Sequence, residues 1–100
     1  MAGRVAVVTG GSGGLGEAIS LALSDNGVHV ASIDRDAEAN ARLSGRLSDD
    51  GAEHLVVTGD VREPDKVEAL FKAAHDRWGR IDVLVNVVGG TFKSAFSDQT

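Results

Sequence analysis

The sequence predicts a doubly wound α/β fold on a parallel sheet, and three observations point there. Short, continuously apolar runs alternate with amphipathic stretches long enough to cross over a sheet. A glycine cluster stands between the first apolar run and the first amphipathic stretch. Two carboxylates, Asp34 and Asp60, stand at or just past the ends of the second and third runs.

Taken in order, Val5-Ala6-Val7-Val8 is apolar throughout, as expected of a strand buried on both faces, and Gly10-Gly11 ends it. Leu15, Ala18, Ile19, Ala22 and Leu23 recur at helical spacing, with Asn26-Gly27 as the stop signal. Residues 28–33 form the second predicted strand. A polar helix follows over about 37–47; its weak apolar stripe (Ala37, Ala41, Leu43, Leu47) predicts a largely exposed element, ended by Asp50-Gly51. Residues 54–58 give a third strand. Pro64 suits a first helical turn, where a missing N–H costs nothing. Val67, Leu70, Phe71, Ala74 and Trp78 then mark one helical face, with Trp78 read as a core-edge residue rather than a stacking platform, and Gly79 closes the helix. Residues 81–85 are the fourth strand. This β-α-β-α-β-α-β order requires parallel strands, and right-handed crossovers place helices on both faces.

The bulk numbers exclude several classes. A 100-residue chain makes one domain at most. Its 42% hydrophobic content is that of an ordinary globular protein. A net charge of −5 argues against nucleic acid or an anionic membrane surface as partner. No apolar run approaches the ~20 residues that span a bilayer. Cysteine is absent, which excludes disulfides and thiolate metal sites and fits a cytoplasmic setting. His29, His54 and His75 fall on three elements without ligand spacing, so no metal site is expected.

The strongest signal is Thr9-Gly10-Gly11-Ser12-Gly13-Gly14-Leu15-Gly16. Unpaired N–H groups at a helix start, with the helix dipole behind them, suit a pyrophosphate if no β-carbon blocks its approach. Gly10 can make the tight turn, Gly14 lets backbone approach phosphate, and Gly16 lets the helix pack closely on the strand. The bland alternative is a flexible loop without a ligand. Asp34, about twenty residues on, can accept hydrogen bonds from both adenosine ribose hydroxyls and repel a 2′-phosphate, which favours NAD over NADP. Arg35 pulls the other way, since Arg beside that position can pair with a 2′-phosphate. Asp34 could instead serve only as a turn or cap residue before Ala37. Asp60 and the Val61 N–H could meet an adenine ring, or Asp60 could cap the Pro64 helix.

With Gly79-Arg80-Ile81-Asp82-Val83-Leu84-Val85-Asn86, these motifs resemble the short-chain dehydrogenase/reductase family over nearly the whole chain. The resemblance implies a Rossmann-type sheet of order 3-2-1-4, with the cofactor crossing between strands 1 and 4. It implies that Gly10, Ser12, Gly13, Gly14, Leu15 and Gly16 hold the cofactor phosphates and ribose. Asp34, with Arg35 beside it, would choose the cofactor, and Asp60-Val61 would clamp the adenine. Asn86 would brace the sheet and Gly89 leave room for the cofactor, with Val87 between them.

There are two departures. Val87 and Val88 replace the second Asn and the Ala of the family's Asn-Asn-Ala-Gly motif. The family's Tyr-x-x-x-Lys pair is missing, and the chain has no Tyr at all. No catalytic residue is therefore expected among residues 1–100, which read as the N-terminal part of one dinucleotide-binding domain. The resemblance implies an NAD(P)-dependent oxidoreductase, NAD preferred, acting on a small-molecule alcohol or ketone as a dimer or tetramer. The alternative is a non-catalytic dinucleotide binder or sensor, or a fragment without a function of its own.

Overall fold

A computed structural model describes residues 3–10, 12–47 and 52–87. Four strands and three helices alternate along the chain: β1 (Val5–Thr9), α1 (Gly14–Asp25), β2 (His29–Asp34), α2 (Ala37–Leu47), β3 (His54–Thr58), α3 (Pro64–Trp78) and β4 (Val83–Asn86). The strands pair in parallel in the order β3-β2-β1-β4, as expected. In register, Val7 lies opposite Ala31 on one side and Leu84 on the other.

The sheet buries β1 completely. Val5, Val7, Ala31 and Ile33 face α3, where they meet Leu70 and Ala74, with Phe71, Trp78 and Ile81 packed around them. Side chains alternate along a strand, so Ala6, Val8, Val30 and Ser32, all fully buried, point to the opposite face. There α1 and α2 pack, α1 on β1 and β2, α2 on β2 and β3. Burial of both faces is why these strands read as continuous apolar runs rather than alternating ones.

One helix buries a face that the apolar pattern did not mark, and a second buries only part of the marked stripe. In α1 the buried residues are Gly16, Ser20 and Ser24. At roughly 100° per residue they form one stripe of small side chains. Leu15, Ala18 and Ala22 lie on the far side and are exposed. Small residues let the helix axis come close to the sheet, so here size rather than hydrophobicity decides which face packs. In α2, Ala39, Asn40, Leu43 and Leu47 are buried within a roughly 100° arc, whereas Ala37 and Ala41 are exposed. The expected stripe mixed two faces, while exposed Ala37, Glu38, Ala41, Arg42, Gly45 and Arg46 make α2 the largely exposed element expected. The two helices are tied at their surface by Glu17, which pairs with Arg42 and Arg46.

Strand limits moved by one or two residues. The Val28 N–H bonds to Leu23 O, so Val28 belongs to the helix exit, where Gly27 turns the chain at φ 79°. β4 starts at Val83 because Asp82 pins the preceding segment with its side chain. Its Oδ2 accepts the Val5 N–H at 2.9 Å, while its own N–H donates to Val5 O at 2.8 Å. Trp78 is at the core edge, as expected, and its ring stacks on His29 within the fold, with centroids 5.2 Å apart. Both rings meet Glu53: Trp78 Nε1–H donates to Oε1 and the Glu53 N–H donates to His29 Nδ1.

The Arg80 guanidinium, forked onto Asp82, and the Val5 N–H hold the Asp82 carboxyl below its ordinary value of 3.8. A depressed folded pKa stabilises the fold above the unfolded value, and the effect is lost as pH falls through the folded one. Asp82→Ala should therefore lower Tm at neutral pH, and the gap to wild type should close on acidification below the ordinary carboxylate range. Thermal melts across that range read it directly; a gap independent of pH would remove Asp82 ionisation from the account.

Candidate functional site

All four carboxyl ends lie on one edge of the parallel sheet, and in open α/β sheets that edge holds the ligand crevice. At the end of β1 the chain turns at Gly10, whose φ is 77°. Its N–H donates to Ile33 O at 2.7 Å, and a β-carbon there would lie 2.5 Å from Val87 O. Only glycine meets both demands. Val87 is drawn in by its own N–H, which donates to Thr9 O at 2.9 Å.

Beyond the turn, Ser12 faces inward and is fully buried. Its hydroxyl bonds to Asn40 Oδ1, and its N–H points at Asp34 Oδ2, 3.4 Å away. Gly13 is the N-cap of α1 and makes no side-chain cap; the first backbone bond runs from the Glu17 N–H to Gly13 O at 2.6 Å. The N–H groups of Gly14, Leu15 and Gly16 thus open the helix with no capping side chain over them. A β-carbon on Gly13 or Gly14 would meet nothing within 4 Å, so a ligand can approach the backbone here. Leu15 lies exposed beside them, and Gly16 is buried against the sheet.

Asp34 ends β2 with its carboxylate at this edge. Its Oδ1 accepts the Asp36 N–H at 3.1 Å, so it does shape the turn. The cap of α2 is Asp36 instead, whose Oδ1 accepts the Ala39 N–H. Arg35 is exposed, and its positive charge is felt at Asp60. Asp60 does not cap α3 with its side chain; Glu63 takes the N-cap position. The Asp60 carboxylate is instead gripped by Arg62, through Nε, Nη2 and the backbone N–H. That fork lowers the Asp60 pKa from 3.8 to about 2. The Arg62 side chain is 76% exposed, yet it is the partner of Asp60. Val61 beside it is an exposed apolar residue.

On the other side of β1, the Thr9 hydroxyl donates to Asn86 Oδ1 at 2.6 Å, joining the ends of β1 and β4. Val88 and Gly89 lie outside the described residues. The structure therefore gathers the loop residues, Asp34, Arg35, Asp60, Val61, Asn86 and Val87 along one edge. Among the described residues no group of His, Cys, Asp and Glu is placed to hold a metal ion, and no helix is long and apolar enough to cross a membrane.

Sequence reasoning missed Asn40. It is 5% exposed and its amide donates to Asp34 O, Val57 O and Thr58 Oγ1 while its Oδ1 meets Ser12. The signal was present: Asn40 stands in the same helical arc as Ala39, Leu43 and Leu47, a polar residue on a buried face.

A model of the short chain dehydrogenase family matches residues 4–100, and the chain belongs to that family. It is 38% identical to D-threitol dehydrogenase of Mycolicibacterium smegmatis over 87 residues, 87% of this chain and 34% of that protein. It is 41% identical to 1-deoxy-11-beta-hydroxypentalenate dehydrogenase of Streptomyces arenae over 86 residues, 86% of this chain and 30% of that protein. Among solved structures, NAD+-bound xylitol dehydrogenase superposes with a TM-score of 0.77 at 29% identity, covering 83% of this chain and 32% of that one. A variant of actinorhodin polyketide ketoreductase with NADPH gives a TM-score of 0.76 at 37% identity, with 83% and 32% covered. The chain thus spans about a third of the length of these relatives.

Gly10→Ala should destabilise the fold by about 1–2 kcal/mol for the left-handed backbone alone, and the Val87 contact adds to that. Urea unfolding measures it; an unchanged midpoint would mean that the turn does not need this conformation.

Proposed function

We propose that these residues form the dinucleotide-binding part of an NAD-dependent oxidoreductase acting on a small-molecule alcohol or ketone. The observation that carries the reading is the Asp34 carboxylate, held at the sheet edge by the Asp36 N–H at 3.1 Å and faced by the glycine-loop N–H of Ser12 at 3.4 Å. A ribose offers hydroxyl donors to such an acceptor, whereas a 2′-phosphate brings negative charge against it. The residues fit the cofactor at a second place. The open backbone at Gly13 and Gly14 lies over the uncapped start of α1, where an anion finds N–H donors and the positive end of the helix dipole.

In this reading Gly10, Ser12, Gly13, Gly14, Leu15 and Gly16 shape the phosphate cradle. Asp34 selects the ribose, and exposed Arg35 stands beside it as the competing vote for NADP. Asp60 and Val61 flank the adenine, with Arg62 keeping Asp60 ionised. Asn86 and Val87 line the crevice between β1 and β4, and the family resemblance gives Gly89 the role of leaving room for the cofactor. Bound NAD+ supplies a nicotinamide C4 that accepts or returns a hydride. Proton transfer belongs to groups that are not among these residues. The family resemblance supports a homo-oligomer, and the cysteine-free composition supports a cytoplasmic setting.

NAD+ should raise the melting temperature saturably, because a ligand that binds only the folded state stabilises it by mass action. Gly14→Ala should leave urea stability within about 0.5 kcal/mol, since its β-carbon meets nothing, yet weaken NAD+ binding by filling the approach to the loop. Asp34→Ala should lower NAD+ affinity and raise NADP+ affinity relative to it, as read by calorimetry with each cofactor. An unaltered ratio would take Asp34 out of the selecting role, and no stabilisation of wild type by either cofactor would sink the reading.

A further inference from the structure

Asn40 is a buried polar side chain, outside the residues assigned above, whose amide meets four partners. Asp34 O and Val57 O are carbonyls and can only accept, at 2.8 and 3.4 Å, so the amide nitrogen of Asn40 faces them. Thr58 Oγ1 takes its other proton at 2.9 Å. Oδ1 therefore faces Ser12, whose hydroxyl must donate. One amide thus joins three segments of the carboxyl edge: the glycine loop, the end of β2 and the end of β3. Ser12 closes the circuit, because its N–H also points back at the Asp34 carboxylate.

We infer that Asn40 is a positioning residue for cofactor selection: it fixes the glycine loop and Asp34 at the spacing that lets the carboxylate take a ribose and refuse a 2′-phosphate. This rests on the NAD reading of the site. Asn40 does not line the open edge. Ser12, its partner in the loop, is fully buried, so the pair acts from beneath the ligand surface. Removal of the amide would leave Ser12 without its acceptor and Asp34 O without the Asn40 donor. The loop and the carboxylate would then be free to part, and a carboxylate that can swing aside no longer excludes a phosphate.

The test measures Kd for NAD+ and for NADP+ by calorimetry, with Tm alongside, in wild type, Asn40→Leu, Ser12→Ala, the double variant and Leu43→Ala. Leu is near Asn in volume but offers no hydrogen bond. Asn40→Leu should cut the NAD+ over NADP+ preference about tenfold, the scale of one lost buried hydrogen bond. Ser12→Ala should move the preference the same way, and the double variant should add little to either, since residues of one network are not additive. Leu43→Ala empties a buried site on the same helix and should lower Tm without moving the preference. If Asn40→Leu weakens both cofactors equally, or tracks Leu43→Ala, Asn40 is only a scaffold and the inference is overturned. If Asn40→Leu does not fold, Ser12→Ala decides: an unchanged preference overturns the inference. Wild type that binds neither cofactor overturns the NAD reading itself, which separates the two failures.

Discussion

The backbone at the end of β1 has no room for a side chain. Gly10 turns there with a left-handed φ, donates its N–H to Ile33 O of the neighbouring strand β2, and lets Val87 O occupy the space a β-carbon would fill. Three segments far apart in sequence therefore meet at one residue: the first strand, the second, and the exit of the fourth. The position of α1 follows from this turn, and so does the direction in which its uncapped N–H groups point. A larger residue would push β1 and β4 apart at the place where the sheet reverses its order of strands, and the crevice between them would change width.

The two ends of the sheet are built differently. At the amino edge the loops are pinned by charge: Arg80 forks onto Asp82, Asp82 takes the Val5 N–H, and Glu53 joins Arg77, Trp78 and His29. These contacts hold strand starts in register. At the carboxyl edge the carboxylates of Asp34 and Asp60 are held by N–H groups and by Arg62 but still reach the surface. Exposed apolar Leu15 and Val61 lie among them. A polar ligand with planar rings needs that mixture, acceptors for its hydroxyls and apolar surface for its rings.

What the sequence made legible follows from which interactions are local. Strand and helix alternation, the stop at Asn26-Gly27 and the start at Pro64 are set by nearest neighbours, and each lies where the pattern put it. The carboxylates at strand ends were legible because parallel strands bring all their carboxyl ends together. The face of α1 was not, because distance to the sheet, rather than hydropathy, chose it; the stripe read for α2 held buried Leu43 and Leu47 but mixed in exposed Ala37 and Ala41. Gly16, Ser20 and Ser24 carry little apolar signal, yet they are the stripe that lets α1 approach. The pairing of Arg62 with Asp60 was not legible, because a turn decides it, with the Glu63 N–H bonding to Asp60 O.

Asn40 shows why a buried polar residue can be kept where leucine would pack. Burial of an amide is costly unless its donors and acceptor are satisfied, and here every side of it is met. The reward is not stability, for which an apolar residue beside Leu43 and Leu47 would serve. Apolar contact is indifferent to a shift of half an ångström, whereas a hydrogen bond is not. Ser12 and Asp34 stand on segments that apolar packing alone would leave free to slide. A directional link between them fixes their spacing, and in the proposed reading discrimination between a hydroxyl and a phosphate depends on spacing at that scale.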